Sequence, residues 1–430
     1  MARSIQRVLV VGAGMAGLVA ARKLAESGVQ VMVLEARERV GGRIHTLHDG
    51  DQVIELGAEF IHGRPPELWR LIEEAGLESY EIDGQDLCHK DGRLRKCDEQ
   101  SDILEFMHRI EEWTGPDIAF ADYPPLHELP SSQRDRVINY VQSFNAADYR
   151  QISLHALAIQ QRAEELTDSG SIFRLRRGYD GIPNFLAEKI RDAGGRIELS
   201  TQVFRIERRR EHVEIHARNP EPMRYEADKV IIALPLGVLQ QRTVVIEPPP
   251  LSLVKADQLR MGTVRRFTLY FRERFWAERE SINLPKLSFL FANDAMPPVW
   301  WTAYPVESNT LTGWIGGPRS AIFAHFTPEQ LGEVACRELS KIFSLPVQYL
   351  NMQLIRCATH DWNSDPFSGG AYSYIPSGAL EAVLNLVAPV EDTLYFAGEH
   401  TDTTGHWGTV HAAIRSGLRA AAQVLSSIRH

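Results

Sequence analysis

Cysteine is scarce in this sequence and forms no recognisable metal-binding pattern. The 430 residues include four cysteines, none in a C-x-x-C pair and none spaced with histidine as in a zinc site: Cys88, Cys97, Cys336 and Cys357. Isolated cysteines of this kind are typical of free thiols in a reducing compartment. We therefore expect four free thiols and no bound metal ion.

Long apolar runs are missing as well. Residues 1–7 lack the apolar core of a secretory signal. No segment approaches the ~20 consecutive apolar residues that a membrane span needs. By elimination, these absences predict a cytoplasmic protein without a membrane anchor.

An excess of basic charge is also absent. Lysine and arginine number 47 and aspartate and glutamate 56, which gives a formal net charge of −9. Because duplex binding needs a basic face, nucleic acid is not expected as a main partner, whereas a cationic ligand is compatible with this balance. The remaining composition, 44% hydrophobic and 24% charged, is that of an ordinary globular protein. The length allows two or three domains.

The first positive signal is a strand–turn–helix–strand pattern at the N-terminus. Residues 8–11 form a continuous apolar run typical of a buried parallel strand, and residues 18–27 have apolar side chains at helical spacing. Residues 31–34 predict the next strand, which Glu35 closes. Between the first strand and the helix, residues 12–17 read G-x-G-x-x-G, which is the position that a dinucleotide-binding motif requires.

Each residue of this motif has a physical role. Gly12 permits the tight turn, Gly14 lets the backbone approach a pyrophosphate, and Gly17 allows the helix to pack closely on the strand. The helix N-terminus supplies free N–H donors for phosphate. Glu35 stands where a carboxylate accepts a ribose hydroxyl. The pattern therefore predicts a dinucleotide site.

Further elements are predicted along the rest of the chain. Residues 65–176 have a mainly helical and irregular pattern, and residues 409–427 form a final helix rich in small residues. The apolar and alternating runs that predict strands lie at residues 197–199, 203–207, 213–217, 229–234, 267–271 and 392–397.

The loop after Glu35 favours FAD over NAD as the dinucleotide. Residues 39–43 read R-V-G-G-R, and two glycines between arginines suit a loop that surrounds phosphate with backbone and guanidinium donors. A basic surface turn is the alternative reading of the same residues.

At this point the sequence resembles the flavin-containing amine oxidase family, which includes monoamine oxidases, polyamine oxidases and lysine-specific histone demethylases. The resemblance covers nearly the whole chain. It rests on L-E-A-R and the R-x-G-G-R loop at residues 34–43, and on motifs at residues 55–63, 177–183, 227–239, 365–372 and 396–401.

The resemblance implies an α/β fold with two domains. A Rossmann-like FAD-binding domain would be assembled from the discontinuous segments 1–70, 177–250 and 365–430. An α+β substrate-binding domain would consist of residues 71–176 and 251–364. The oligomeric state is not implied.

The resemblance also implies which residues hold the FAD. Glu35 would bind the adenosine ribose, Arg43 and nearby glycines the pyrophosphate, and Val203 the adenine. The start of the last helix would face the flavin, because a helix N-terminus stabilises an anion. The residues assigned to the cofactor are Gly12, Gly14, Ala16, Gly17, Glu35, Arg37, Gly42, Arg43, Gly57, Ala58, Glu59, Phe60, Val203, Trp362, Gly398, Glu399, Gly408, Thr409 and Val410.

Four residues are assigned to catalysis in the same way: Tyr372, His62, Thr409 and Arg266. Tyr372 matches an aromatic wall residue at the flavin face, and Thr409 stands where monoamine oxidases have a second tyrosine. His62 lies beside the expected flavin loop and could titrate near neutrality to steer an amine or its proton. Aromatic core packing for Tyr372 and a structural role for His62 are the alternatives.

Arg266 is a departure from the family pattern. The family has a lysine that contacts the flavin through water, and here residues 262–266 read G-T-V-R-R. Arginine does not deprotonate and is larger and planar. The usual oxygen chemistry is therefore in question, whereas FAD binding is not. Alternatively, Arg266 points away and Arg265 or a solvent cation takes its place.

The resulting functional expectation is an FAD-dependent amine oxidase that converts an amine to an imine and reduces molecular oxygen to hydrogen peroxide. A polyamine-like or secondary amine is favoured as substrate. The FAD is expected to be noncovalent, because Ala371 replaces the cysteine that links flavin in monoamine oxidases. The chain also stops at His430, without the apolar tail of membrane-bound relatives. Alternatives are a flavin dehydrogenase or desaturase acting on a non-amine substrate, and a non-catalytic FAD-stabilised binding protein.

Overall fold

A computed structural model describes residues 6–50, 52–97, 100–168, 170–210, 212–277 and 282–429. The strands are β1 (Arg7–Val11), β2 (Gln30–Leu34), β3 (Thr46–Asp49), β4 (Gln52–Glu55), β5 (Ile61–His62), β6 (Ser79–Glu81), β7 (Gln85–Lys90), β8 (Arg93–Lys96), β9 (Ile172–Leu175), β10 (Arg196–Glu198), β11 (Gln202–Arg208), β12 (Val213–Asn219), β13 (Glu221–Ala227), β14 (Lys229–Ile232), β15 (Val245–Glu247), β16 (Arg260–Met261), β17 (Val264–Phe271), β18 (Leu287–Phe291), β19 (Val299–Thr302), β20 (Thr310–Gly316), β21 (Leu354–Thr359), β22 (Ser373–Tyr374) and β23 (Leu394–Phe396).

Helices connect and cover these strands. They are α1 (Met15–Glu26), α2 (Pro66–Glu74), α3 (Gln100–Ile110), α4 (Pro124–Glu128), α5 (Ser131–Asn145), α6 (Leu154–Glu165), α7 (Gly181–Asp192), α8 (Leu236–Gln241), α9 (Leu251–Ala256), α10 (Pro328–Phe343), α11 (Val347–Gln353), α12 (Leu380–Leu386) and α13 (Val410–Arg429). Among the described residues, no helix is both long enough and apolar enough to cross a membrane.

The molecule has two halves in space, and a parallel sheet forms the centre of one of them. Its strand order is β10-β2-β1-β14-β23. One face packs against α1, α7 and α13, and the other against the four-stranded sheet β13-β12-β11-β15. Because both faces are covered, the central strands consist mainly of buried apolar residues, as in β14, where Val230, Ile231 and Ile232 are fully buried. This arrangement confirms the predicted Rossmann-like α/β fold.

Small residues let α13 pack tightly on α1. A Cβ on Gly417 would lie 2.3 Å from the carbonyl oxygen of Ala16, so only glycine permits this approach. The first helix is thereby fixed between the sheet and the last helix. Its N-terminus, which lies within the glycine motif, is held in place by residues about four hundred positions away.

A mixed seven-stranded sheet forms the second half, in the order β21-β17-β20-β19-β18-β7-β8. Its apolar core includes residues of α10 and α11, and a separate helical cluster is formed by α3, α5 and α6. A three-stranded sheet, β5-β9-β6, joins residues from both sides of the predicted boundary at residue 70. The division of the chain into the two sets of segments stays a prediction.

The prediction for residues 65–176 was only partly right. The helices are there, but β6, β7, β8 and β9 were not foreseen. All four strands are short, and β7 and β8 are mostly polar with half-buried or exposed positions, so these two lack the apolar alternation that marks a strand in sequence. β7 pairs with β18 and β6 with β9, which are distant in the chain, and β8 is added to the sheet through its hairpin with β7.

The prediction of four free thiols was wrong. Cys88 and Cys97 form a disulfide, and only Cys336 and Cys357 are free. The two bonded cysteines lie on β7 and directly after β8, whose antiparallel pairing brings their Cα atoms to 5.1 Å. A spacing of nine residues did not reveal the pair, because it depends on a hairpin that the sequence did not predict.

Candidate active site

A single cavity of about 710 Å³ runs between the two halves of the molecule. At one end it is lined by the glycine motif, the loop after β2 and the start of α13. At the other end its wall consists of α5, α6 and residues on the inner strands of the seven-stranded sheet. The residues assigned to cofactor and to catalysis are therefore brought into one connected space.

The glycine motif leaves room for a ligand at the start of α1. Gly12 has φ +104°, and a Cβ on Gly17 would lie 2.0 Å from the Gly12 carbonyl oxygen, so both positions require glycine. Gly14 is the N-cap of α1 and makes no side-chain cap hydrogen bond, and a Cβ there would meet nothing within 4 Å. Ala16 also lines the cavity. Free N–H donors beside open space fit a pyrophosphate.

Glu35 ends β2 as predicted and faces the cavity. Its carboxylate accepts hydrogen bonds from the backbone N–H of Ala13 at 2.7 Å and of Arg37 at 2.9 Å. Burial raises the pKa of Glu35, although these two donors oppose the shift. Val203 lies at the same wall, on β11. This placement fits the ribose and adenine end of a dinucleotide.

The Arg37 side chain has a different role from its backbone. Its guanidinium makes a bidentate ion pair with Asp365 at 2.9 and 2.7 Å and lies over the rings of Trp362 and Phe367. This pair joins the loop after β2 to the segment that leads to Tyr372. Arg37 thus contributes to the site mainly by fixing two of its walls together.

Arg43 and Glu399 form a second link across the cavity. The Arg43 guanidinium donates to Glu399 at 2.9 Å and to the Ala371 carbonyl at 2.8 Å, and Gly42 passes directly beside Gly14. Burial would raise the pKa of Glu399, but Arg43, His400 and the Ser373 hydroxyl hold that pKa below its usual value. Glu399 is therefore a carboxylate at the expected pyrophosphate end.

The start of α13 is prepared by the residues that precede it. The Gly408 N–H donates to Glu399 at 3.0 Å, and Gly398 has φ +141°. The Thr409 hydroxyl donates to the His406 carbonyl and accepts from the Ala412 N–H, so it caps the helix. Thr409 lines the cavity, but its hydroxyl is already used for capping rather than free for chemistry.

An aromatic wall stands opposite this helix start. The Tyr372 hydroxyl donates to the Phe144 carbonyl at 2.8 Å, and a Cβ on Gly408 would meet the Tyr372 ring at 2.9 Å. Trp362 is buried, donates to the Leu56 carbonyl at 2.8 Å and packs against Gly57. Burial raises the pKa of Tyr372, so it stays a neutral phenol. The wall is flat, rigid and uncharged.

Comparison with known proteins identifies this arrangement. The profile described as flavin containing amine oxidoreductase matches residues 15–114 and 117–425, nearly the whole chain. This chain belongs to that family. It is 29% identical to polyamine oxidase 2 of Arabidopsis thaliana, over 96% of this chain and 87% of that protein. It is 25% identical to flavin-containing amine oxidase B of Rattus norvegicus, over 98% and 86%.

Solved structures show the same fold. A double mutant of putrescine oxidase superposes with a TM-score of 0.82 at 20% identity, covering 98% of this chain and 99% of the other. Cyclohexylamine oxidase from Brevibacterium oxydans gives 0.80 at 22% identity, covering 99% and 100%. The chain is therefore a flavin-dependent oxidoreductase of the amine oxidase family, and the predicted family, fold and enzyme class are confirmed.

Within the family site, the segment after β4 passes along the cavity. A Cβ on Gly57 would lie 1.9 Å from the Arg43 carbonyl oxygen, and the Ala58 N–H donates to the same oxygen at 3.1 Å. The Phe60 ring lies 5.2 Å from the Trp301 ring. Backbone of this segment faces the cofactor end, and Phe60 faces the aromatic end.

Glu59 does not stand alone at the cavity wall. Its carboxylate binds Arg266 at 2.5 Å, Arg174 at 2.7 Å and the Trp301 indole at 3.1 Å. Arg266 also donates to the Gly57 carbonyl at 2.6 Å. Two guanidinium groups around one carboxylate leave a net positive charge beside the cavity.

Arg266, not Arg265, faces this cavity. The Arg265 guanidinium lies 3.2 Å from Asp361 and donates to the Phe326 carbonyl, on the opposite side of β17. Arg174 and Trp301 were missed by the sequence analysis. They lie 115 and 242 residues from Glu59, and no local pattern in the chain connects them to it.

His62 lines the cavity but does not titrate near neutrality, so that expectation is corrected. Burial lowers its pKa to about 4. The ring lies between the rings of Phe60 and Phe144, with centroids 6.2 and 5.7 Å away. At neutral pH His62 is an uncharged part of the aromatic lining.

Proposed function

We propose that this protein oxidises the C–N bond of an amine to an imine, using noncovalently bound FAD and reducing oxygen to hydrogen peroxide. The observation that carries the proposal is the connected cavity, which joins a dinucleotide cradle to a chamber with an aromatic wall. In balance, amine and O₂ give imine and H₂O₂. Water then converts the imine to a carbonyl compound and releases ammonia from a primary amine, or a smaller amine from a secondary one.

The residues of the chain would divide this work as follows. Bound FAD supplies the acceptor for the hydride equivalent that leaves the carbon next to nitrogen. Tyr372 and Phe144 form a flat wall that orients the amine, and neutral His62 adds no positive charge to repel it. A neutral amine needs no strong general base, since its own lone pair drives imine formation.

Noncovalent binding is supported by the position of the thiols. Ala371 lines the cavity where a flavin-linking cysteine would stand, and its carbonyl accepts from Arg43. Neither Cys336 nor Cys357 is among the described residues that line the cavity. The cradle can hold FAD through hydrogen bonds and charge alone.

A polyamine-like or secondary amine is proposed as substrate, ahead of a small arylalkyl monoamine. Thr409 leaves one side of the aromatic wall open where a second tyrosine would close it. The cavity also extends well past Tyr372, toward α5 and α6. An amino acid is less suitable, because no arginine lies in residues 57–63 to bind a carboxylate.

One observation favours a second candidate, a flavin dehydrogenase with another electron acceptor. Arg266 replaces the family lysine and is held by Glu59, so the compact water contact of a lysine is not reproduced. The test is to mix the flavin-loaded protein with a panel of amines, without and with oxygen. Flavin bleaching with peroxide release supports the oxidase, and bleaching without peroxide supports the dehydrogenase. No bleaching with any amine contradicts amine oxidation.

A further inference from the structure

A carboxylate stands in the part of the cavity that is remote from the cofactor cradle. Glu164 lies on the last turn of α6, is half-buried and lines the cavity. The Gln160 amide, one turn earlier on the same helix, donates to it at 2.8 Å. In the described part of the chain, Glu164 forms no ion pair. In contrast, Arg37, near Glu35, pairs with Asp365, and the Glu59 carboxylate pairs with Arg266.

Aromatic side chains line the cavity between Glu164 and the aromatic wall at Tyr372. The Tyr140 and Phe144 rings are stacked one helical turn apart on α5, with centroids 5.6 Å apart and planes at 11°. Phe144 contacts His62 and accepts the hydrogen bond from Tyr372. Glu164 is close enough to Tyr140 to raise the pKa of that phenol by its charge, after the larger effect of burial.

The environment of Glu164 is that of a carboxylate without its counterion. Burial raises its pKa to about 7, and the hydrogen bond from Gln160 opposes the shift only in part. A carboxylate removed from bulk water is stabilised when a cation binds to it. Arg136 also lines the cavity, so the part remote from the cofactor cradle has charged groups of both signs.

We infer that Glu164 binds a second, positively charged nitrogen of the substrate, so that the enzyme reads a diamine or longer polyamine by its far end. This inference rests on the proposed amine oxidation. The reacting amine would lie at Tyr372, and the methylene chain would follow the stacked rings of Phe144 and Tyr140. Ammonium groups also interact favourably with aromatic faces along such a path.

The test compares straight-chain diamines with monoamines of equal length on the flavin-loaded protein. In Glu164→Gln the shape is kept and the charge removed, so KM for the diamine should rise about tenfold or more. We expect kcat for the diamine to change less than KM, and KM for the monoamine to stay near the wild-type value. Equal changes for both substrates, or no change for the diamine, would overturn the inference.

Glu165→Gln is the matched control. Glu165 is the next residue on α6, exposed, and lies 3.1 Å from His108 on the surface rather than at the cavity. It removes the same charge from the same helix, so long-range electrostatics change similarly. We expect diamine KM to be unchanged in this variant, and a rise like that of Glu164→Gln would show a general charge effect instead.

Calorimetric titration of the wild type and Glu164→Gln with a diamine gives a readout independent of turnover. Weaker diamine binding in the variant supports the inference even where oxidation is slow. If Glu164→Gln does not fold, the wild type is measured alone. Diamines must then bind to it more tightly than monoamines of equal length, and the affinity must be highest at one chain length. A wild type that oxidises no amine refutes the proposed function, whereas amine oxidation with no diamine preference refutes only the role of Glu164.

Discussion

Arg266 is the residue at which the sequence analysis expects a departure from the family pattern. Its guanidinium is fixed by Glu59 and Gly57, and Arg174 shares the same carboxylate. We expect Arg266→Lys to retain FAD but to alter reoxidation by oxygen more than reduction by amine. Arg266→Met should slow reoxidation about tenfold or more, because it removes a preorganised positive charge. Stopped-flow measurement of the two half-reactions tests both variants.

Arg265→Lys is a suitable control, because that side chain binds Asp361 and points away from the cavity. It should leave both half-reactions unchanged. Wild-type reoxidation rates in both Arg266 variants would show that this residue has no part in the oxygen step. In Arg266→Met, Glu59 keeps Arg174 as a partner, so gross unfolding is not expected.

Ala371 is the residue on which the prediction of noncovalent flavin binding depends. With a methyl group in place of the linking thiol, the flavin should be released when the protein is precipitated with acid. Yellow supernatant is the expected result, measured by absorbance. Flavin that remains in the washed pellet would indicate a covalent bond and contradict noncovalent binding.

The contact between α1 and α13 shows how packing at one element positions the cradle. Gly417 allows the two helices to meet, and any larger side chain must push α13 away from Ala16. We expect Gly417→Val to destabilise the protein by about 1–3 kcal/mol and to weaken FAD binding. Ala422→Val, an exposed position on the same helix, is the control and should change neither the thermal midpoint nor flavin retention. An unshifted midpoint in Gly417→Val would contradict the packing argument.

Strand β4 carries a group that makes stability depend on pH. Burial raises the pKa of Glu55 from 4.5 to about 8, against hydrogen bonds from the Tyr179 N–H and the Thr46 hydroxyl. The folded state therefore keeps a proton that the unfolded state releases above about pH 4.5. Its contribution to stability is present below that pH and is lost as pH rises toward 8.

Glu55→Gln should remove this dependence, since the amide does not titrate and keeps the shape. We expect the thermal midpoint of the wild type to fall more steeply between pH 5 and pH 8 than that of the variant. Parallel curves for the two proteins would show that Glu55 does not titrate in this window.

At the scale of the whole molecule, the cradle is assembled from three distant parts of the chain. Gly14, Val203 and Gly408 all line one cavity, so FAD bound there would link the N-terminal, middle and C-terminal segments. A ligand that binds only the folded state stabilises it by about 2.7 kcal/mol at a hundredfold excess over Kd. We expect removal of flavin to lower the thermal midpoint, and added FAD to restore it in a concentration-dependent way. A thermal midpoint that does not change with FAD concentration would contradict this assembly.

The sequence predicted the N-terminal βαβ unit well, because its signals are local. β1, α1 and β2 lie within a few residues of their predicted limits, and the glycine motif falls between them. The middle strands β11, β12 and β14 were also found, since their apolar residues alternate with polar ones or follow one another in the sequence. The polar hairpin of β7 and β8 was not, and the disulfide that depends on it was missed as well.

The sequence by itself determined the family, the cofactor class and most of the cradle, because these depend on short motifs whose spacing is set by backbone geometry. Tertiary structure alone decided the charge and protonation of the site. Arg174 and Trp301 reach Glu59 only through strand pairing, and His62 becomes neutral only because packing removes it from water. Glu164 likewise becomes a candidate binding residue only because the fold places it at the cavity wall. Coulomb energy and desolvation depend on distance in space, which the order of residues does not state.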